Sequence, residues 1–423
     1  MKFLKRNFHL IIAALIFIEM IFYGGFLNCI SIFTVDISEA LNISRSSYSI
    51  SQISRNIVGF VSTLMTGLIY HKFGYRKSSV FFLILSGIAM IMLGMSQSLF
   101  MVCISYGTIG LSAGVLGTAG AVRIVKNWFH KHQGTILGMV TMATGIGGSL
   151  LATTLTEVTT AYDWRVAQYV TAGIFIVVGL LFLILRDDPS EMGLRPYGEG
   201  QISSKKQTAD PSHTEWAGHT FKELLKTPQF YLMALCIFLS CLSVYAAFNV
   251  IVPHFKDNGY SAANAANYHS IMMLTLSIAK LLGGWLSDRI GAKRVAILTV
   301  VMALIGHCLL IDVSNPILSY VGVVLLSFGL LVASITAPLL TMPLFGYRAF
   351  GTITGIFMAM ISLGNMLATP LANLCYDALG SYTPAFQMAA ILDVVIIGLF
   401  LLLFFLCSRD KKRFLAAEAE AAQ

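Results

Sequence analysis

Gly284-Trp285-Leu286-Ser287-Asp288-Arg289-Ile290-Gly291-Ala292-Lys293-Arg294 is the stretch that decides the fold. It lies between two long apolar runs, so its glycines and charges mark a short turn. The arrangement occurs a second time, as Gly67-Leu68-Ile69-Tyr70-His71-Lys72-Phe73-Gly74-Tyr75-Arg76-Lys77. Both glycines and the three basic positions align at one offset. The same offset aligns Gly134-Thr135-Ile136-Leu137-Gly138 with Gly351-Thr352-Ile353-Thr354-Gly355. One register serving two distant segments argues for two halves of common design.

Composition says what kind of halves these are. Hydrophobic residues make up 57% of the 423 and charged residues only 11%, against about 45–50% and about 25% in soluble domains. The apolar runs recur along nearly the whole chain, and a bilayer crossing takes about 20 residues. Backbone groups in hydrocarbon must be paired internally, so the runs are expected to be helices. No period-2 alternation of the barrel kind is visible. The spans are expected at 8–33, 46–70, 78–96, 99–122, 134–157, 166–186, 229–254, 264–287, 295–312, 316–343, 350–375 and 383–407. Parallel halves of this kind are related by an axis along the membrane normal.

The net charge is +8, and its distribution excludes a nucleic-acid partner as the reason. Basic residues gather in the loops around Lys2, Lys72, Lys126, Arg186, Arg289, Arg348 and Arg409, while the opposite side has little beyond Arg45, Arg165 and Lys256. The positive-inside rule then puts both termini in the cytoplasm and the chain in the plasma or inner membrane. The run after Lys5-Arg6 is too long for a signal-peptide h-region and is expected to be a retained first span. Asp187 to Pro228 is polar and divides the spans six and six. The expected organisation is a first bundle over 1–186, a cytoplasmic linker over 187–228, a second bundle over 229–410 and a tail over 411–423. A short surface helix is expected near Thr220–Lys226.

The seven cysteines, Cys29, Cys103, Cys236, Cys241, Cys308, Cys375 and Cys407, fall in or beside apolar runs without metal or CxxC spacing and read as packing residues. There is no GxSxG motif, phosphate loop or metal cluster, so neither an enzyme nor a cofactor is expected.

The pattern G-x-x-x-D/N-R/K-x-G-x-R/K-R/K resembles the loop signature of the major facilitator superfamily. The resemblance implies an all-α membrane protein of 12 transmembrane helices, two six-helix bundles related by pseudo-twofold symmetry. Gly67, His71 and Arg76, and Gly284, Asp288, Arg289 and Gly291, would form a cytoplasmic charge latch; the bland alternative is that these charges only set topology. His71 replaces the usual acid, so a first-half latch would depend on histidine protonation or be absent. Further stretches resemble the monocarboxylate and oxalate–formate branch: Asn127-Trp128-Phe129-His130-Lys131-His132-Gln133-Gly134, Asp163-Trp164-Arg165, Asp188-Pro189-Ser190-Glu191-Met192-Gly193-Leu194-Arg195-Pro196-Tyr197-Gly198, and Val252-Pro253-His254 with Gly259. Proton-coupled drug exporters usually carry Arg where Tyr106 stands here, four before Gly110, and a Gly-Pro pair that Ala143-Thr144-Gly145-Ile146-Gly147-Gly148 lacks.

Charge at membrane depth costs about 2.5–3.5 kcal/mol on insertion scales, so each ionisable residue in a span needs a reason. Lys280 stands where the resembled branch places a cation for the substrate carboxylate. The alternative is snorkelling, at the limit of its reach. Arg55 is too deep to snorkel and reads as a second anion contact, part of a proton-coupling network, or a structural pair with Glu19. Glu19 and His254 are the proton-coupling candidates. Tyr23, Asn28, Tyr245, Asn249 and Asn365 are further substrate-binding candidates or ordinary interhelical hydrogen bonds. Arg123 reads as an interfacial anchor, and Asp393, inside the last span, has no sequence-level explanation.

The expected function is alternating-access transport of a small organic anion such as lactate, pyruvate or formate, by proton symport or exchange with a counter-anion. The expected partners are that anion, the proton or counter-anion, and the lipid bilayer, with the monomer as working unit. An oxalate/formate-type dicarboxylate exchanger needs a second cation, which span 11 lacks and Arg55 would have to supply. An exporter of another solute class and a membrane sensor are the other readings.

Overall fold

The computed structural model describes residues 13–116 (without 14 and 17), 124, 125, 128, 133–184, 220–332, 340–346 (without 342 and 343) and 350–421. These residues are all-helical. We label Met20–Ala40 α1, Arg45–Phe73 α2, Tyr75–Gly94 α3, Leu99–Leu116 α4, Gln133–Ala161 α5 and Trp164–Leu181 α6. In the second half Pro228–Asp257 is α7, Ala262–Ile290 α8, Ala292–Ile311 α9, Pro316–Gly329 α10, Phe350–Leu379 α11 and Thr383–Ala421 α12. The surface helix expected before α7 is present over Phe221–Leu224, started by a Thr220–Glu223 capping box. The remainder of the linker and Arg123 lie outside the described residues.

Among the described residues nine helices are long and apolar enough to cross a membrane: α1, α3, α4, α6, α7, α9, and most of α8, α11 and α12. The 14-residue α10 is apolar but shorter. α2 and α5 each have 29 residues, about 43 Å of helix, but are rich in Ser, Thr and Gly. On α2 these polar groups bond across to α4: Ser54 Oγ donates to the Cys103 carbonyl at 3.1 Å and Thr66 Oγ1 to the Gly114 carbonyl at 3.0 Å. Facing them, a Cβ at Gly110 would strike the Arg55 carbonyl and one at Gly114 the Ser62 hydroxyl. Small residues thus let two backbones approach and hydrogen-bond where lipid offers no hydrophobic drive between helices.

α1 is irregular: π-helical over Glu19–Leu27, 3-10 over Ile30–Phe33 and α-helical over Thr34–Ala40. Wide π turns are rare and frequently fall at functional sites. Here one is packed against α5, where a Cβ on Gly147 would strike the Met20 carbonyl and one on Gly24 would meet Gly148 N at 2.8 Å. The segment Ala143–Gly148, singled out for its missing proline, is therefore where α5 approaches the backbone of α1.

The described chain forms two compact units, Met1–Gln207 with Ile251–Ser277, and Thr208–Val250 with Ile278–Gln423. Phe22, Phe26 and Phe175 pack together in the first, and Phe230, Phe345 and Phe357 in the second. Large apolar side chains such as Leu68, Phe100, Ile391 and Phe405 point outward, as expected where lipid is the solvent.

The repeat that decides the fold forms the same structure in both halves. Gly74 (φ 78°) separates α2 from α3 and Gly291 (φ 87°) separates α8 from α9. Their amides donate to the Tyr70 and Ser287 carbonyls, at 3.1 and 2.9 Å. Space around Gly291 is open, so positive φ alone demands glycine there. Gly291→Ala is expected to cost about 1–2 kcal/mol, read as a lower melting temperature of the detergent-purified protein. Gly355→Ala, at an open helical position without positive φ, should leave it unchanged or raised.

Candidate functional site

Lys280 sits ten residues before the end of the 29-residue α8 at Ile290. Leu274, Ile278, Leu281, Leu282 and Trp285 form an exposed stripe along that helix. At about 100° per residue Lys280 lies about 200° round from Ile278, on the opposite face among Leu276, Ala279 and Gly283, and is itself half-buried. The ammonium therefore belongs to the face turned away from lipid.

In the first unit Arg55 is ten residues into α2, about 15 Å from its start, and half-buried. Its electrostatic neighbours are the tyrosines Tyr106, Tyr48 and Tyr23. Its Nε and Nη2 both donate to Asn56 Oδ1, at 3.2 and 3.0 Å. Among the described residues it forms no ion pair; the side chain of Glu19, its expected partner, lies outside them. Tyr48 and Tyr106 are fully buried and share a hydroxyl–hydroxyl bond of 2.7 Å. Tyr106, standing where drug exporters carry Arg, is thus an electrostatic neighbour of Arg55. Tyr23 donates to the Ala113 carbonyl.

Asn249 on α7 and Asn365 on α11 meet, Nδ2 to Oδ1 at 3.2 Å. Both are half-buried, and Tyr245 is one turn away. Asn28 is half-buried, and its backbone meets the ring of the fully buried His269. His254 is fully buried beside Phe255, one residue after the helical Pro253. Phe255 stacks on Tyr268 at 3.9 Å, and Gly259 turns the chain with φ 86°. The Val252-Pro253-His254 and Gly259 signature is therefore the aromatic corner joining α7 to α8.

At that corner and at the α5–α6 turn sequence reasoning missed a set of ion pairs. Arg45 makes a two-pronged bond to Asp257, at 2.5 and 2.8 Å, with 10% of its side chain exposed. Lys256 reaches Asp36 at 3.4 Å. Arg165 pairs with Asp163 at 3.3 Å and lies over the Trp164 ring, which accounts for the Asp163-Trp164-Arg165 motif. All three cations of the sparsely basic side thus hold a carboxylate. Sequence marked them only as topology signals; the acids beside them were the unread clue. Below the corner, Thr153 and Ser270 share a 3.1 Å bond and Ser277 Oγ donates to the Met142 carbonyl at 3.1 Å. α2, α5 and the ends of α7 and α8 are thereby bound into one unit.

At the opposite end His71 is exposed in the last turn of α2, Arg76 is half-buried, and Arg289 lies over the Trp285 ring at 4.4 Å. Gly67 and Gly284 are helical; the Asp288 side chain lies outside the described residues. All seven cysteines are free. No cluster of metal-binding side chains exists among the described residues.

A profile of the Major Facilitator Superfamily matches residues 15–267 and 233–423. The chain belongs to the Major Facilitator Superfamily. Its fold and relatives are those of multi-pass membrane transporters and not of enzymes. Among curated relatives, Monocarboxylate transporter 12 of Xenopus laevis is 25% identical over 67% of this chain and 65% of its own length. The chain thus spans just under two thirds of that relative. The Agnestins efflux protein AgnL12 of Paecilomyces divaricatus is 23% identical over 82% of this chain and 76% of its own. Among solved structures, an inward-facing bacterial homolog of the human lysosomal transporter Spinster has a TM-score of 0.73 at 13% identity, covering 95% of this chain and 97% of that one. That likeness is one of fold. The monocarboxylate branch read from short motifs is supported by these relatives.

In this superfamily member the Arg45–Asp257 bond is testable by a double-mutant cycle. Arg45→Ala and Asp257→Ala should each lower the melting temperature. The double variant should fall short of the sum by roughly 1–3 kcal/mol, as for groups in one network. Additive losses would show that the bond contributes nothing.

Proposed function

We propose that the protein carries a small organic anion, a monocarboxylate such as lactate, pyruvate or formate, across the plasma membrane by alternating access. The topology proposed with it is twelve spans, both termini cytoplasmic, and bundles over 1–186 and 229–410. The observation that carries the reading is the place of Lys280: a half-buried ammonium two thirds of the way along α8, on the face away from lipid. An anion there offsets the cost of holding the charge at depth. Arg55, half-buried among tyrosines, is the cation proposed for the first half. Tyr23, Asn28, Tyr245 and the Asn249–Asn365 pair are proposed to orient the rest of the solute. Asp288 and Arg289, with His71 and Arg76, are the proposed cytoplasmic latch. Transport is proposed to be coupled to a proton or a counter-anion, and the monomer to be sufficient.

The similarity to a monocarboxylate transporter supports this reading. The similarity to an efflux protein favours a second one, export of another solute class. Uptake of labelled lactate, pyruvate, formate and oxalate into proteoliposomes separates them. Lactate uptake is expected, with Lys280→Ala reducing it at least about tenfold, equivalent to 1.4 kcal/mol, and Lys280→Arg keeping most of it. Arg55→Lys should raise KM more than it lowers the maximal rate. Oxalate outcompeting lactate would assign Arg55 to a second carboxylate. Wild-type uptake by Lys280→Ala, or no uptake of any of the four anions, would turn the assignment to the export reading.

A further inference from the structure

Asp393 was the one charge in a span without an explanation, and the structure supplies one. On α12 it lies about 200° round from the exposed Ile391, and its own side chain is 1% exposed. Oδ2 is 2.7 Å from Nδ1 of His307 on α9, which is wholly buried. Oδ1 accepts from Ser243 Oγ of α7 at 2.7 Å. Three helices of the second unit thus converge on one carboxylate. With the carboxylate ionised, Nδ1 carries the hydrogen and donates it. That leaves the lone pair on His307 Nε2, which has no hydrogen-bond partner. An unpartnered ring nitrogen buried against Phe386 is costly unless it has a use.

We propose that His307 and Asp393 form a one-proton binding site that couples anion movement to the proton. The inference rests on the anion-carrier reading for its coupling role, though not for the protonation itself. Nε2 takes one proton from water on one side of the membrane and returns one to water on the other; Nδ1 stays bonded to Asp393 throughout. The charge count gives the coupling. Among the described residues of the second unit, Lys280 and Asp393 are the charged groups away from the ends of the membrane-crossing stretches. With His307 neutral they sum to zero; with His307 protonated the unit gains one positive charge, and a bound monocarboxylate restores zero. By this count the second unit is neutral both empty and fully loaded, whereas with only the proton or only the anion it has an uncompensated charge in a low-dielectric interior. Proton and anion therefore favour each other's binding although they occupy different sites. No other titratable side chain among the described residues of the packed helices, Cys241 and Tyr245 on α7, Cys308 on α9 and Tyr320 on α10 included, makes a hydrogen bond to the pair. Asp312, at the end of α9, is exposed and bonded to Ser314.

The test uses full-length protein in two formats. In proteoliposomes, labelled lactate is followed both as counterflow and as accumulation driven by a pH gradient. Asp393→Asn and His307→Gln should each lower the ratio of gradient-driven accumulation to counterflow at least about tenfold, while Cys308→Ala leaves the ratio at the wild-type value. A ratio unchanged in both variants, or accumulation and counterflow lost together with the melting temperature, would make the pair a structural tie and overturn the proposal. Without any substrate, infrared difference spectra between acid and alkaline pH should carry an imidazole signal that His307→Gln removes and Asp393→Asn shifts. Identical spectra for wild type and His307→Gln would overturn the site. No lactate counterflow by wild type, with the imidazole signal present, would sink the anion reading and leave the proton site standing.

Discussion

A charge in hydrocarbon must be compensated, and this requirement organises the described structure. Each ionisable side chain away from the helix ends is either paired, as Asp393 is with His307 and Ser243, or turned from the lipid-facing stripe, as Lys280 is. Arg55 bonds Asn56 and has tyrosines as its electrostatic neighbours. On the sparsely basic side the three cations are neutralised one by one, two at the α7–α8 corner and one at the start of α6. A stray charge costs about 2.5–3.5 kcal/mol on insertion scales, a large share of the few kcal/mol by which folded states are stable. Such charges persist where something uses them.

Close backbone approach is the second organising element. Helices in lipid gain little from hiding apolar surface against one another, so van der Waals contact and interhelical hydrogen bonds hold them. Gly110 and Gly114 bring α4 onto α2, and Gly24 and Gly147 bring α1 onto α5. On its other side α5 meets α8, where a Cβ at Gly145 would strike the Ser277 hydroxyl. α5 is thus clasped between two helices by its Gly-rich segment, which explains why the more polar helices are also among the tightest packed. The same economy appears in the turns, where Gly74 and Gly291 adopt the one conformation that both copies of the repeat require.

These two elements divide the functional groups by the kind of contact they make. Asn249 and Asn365, read as solute contacts or helix glue, satisfy each other, and a solute engaging one must share it with the other. His254, read as a candidate proton group at a helix end, is buried in an aromatic corner. The cluster around Asp393 is of another kind, because it joins a buried imidazole to a buried carboxylate across helices.

The sequence alone determined the class and the repeat. Hydrophobic length fixes helices because backbone polarity has no other outlet in lipid, and glycine spacing fixes the turns because only glycine takes positive φ without strain. The depth of Lys280, Arg55 and Asp393 was legible for the same reason, since depth follows from position along a span. Partnership was not legible. Arg45 with Asp257, Lys256 with Asp36 and His307 with Asp393 are separated by 212, 220 and 86 residues, and periodicity within one helix says nothing about which neighbour its inner face meets. Only the packing of helix against helix decided those pairs, because a pair bond depends on angles and separations that no single span encodes.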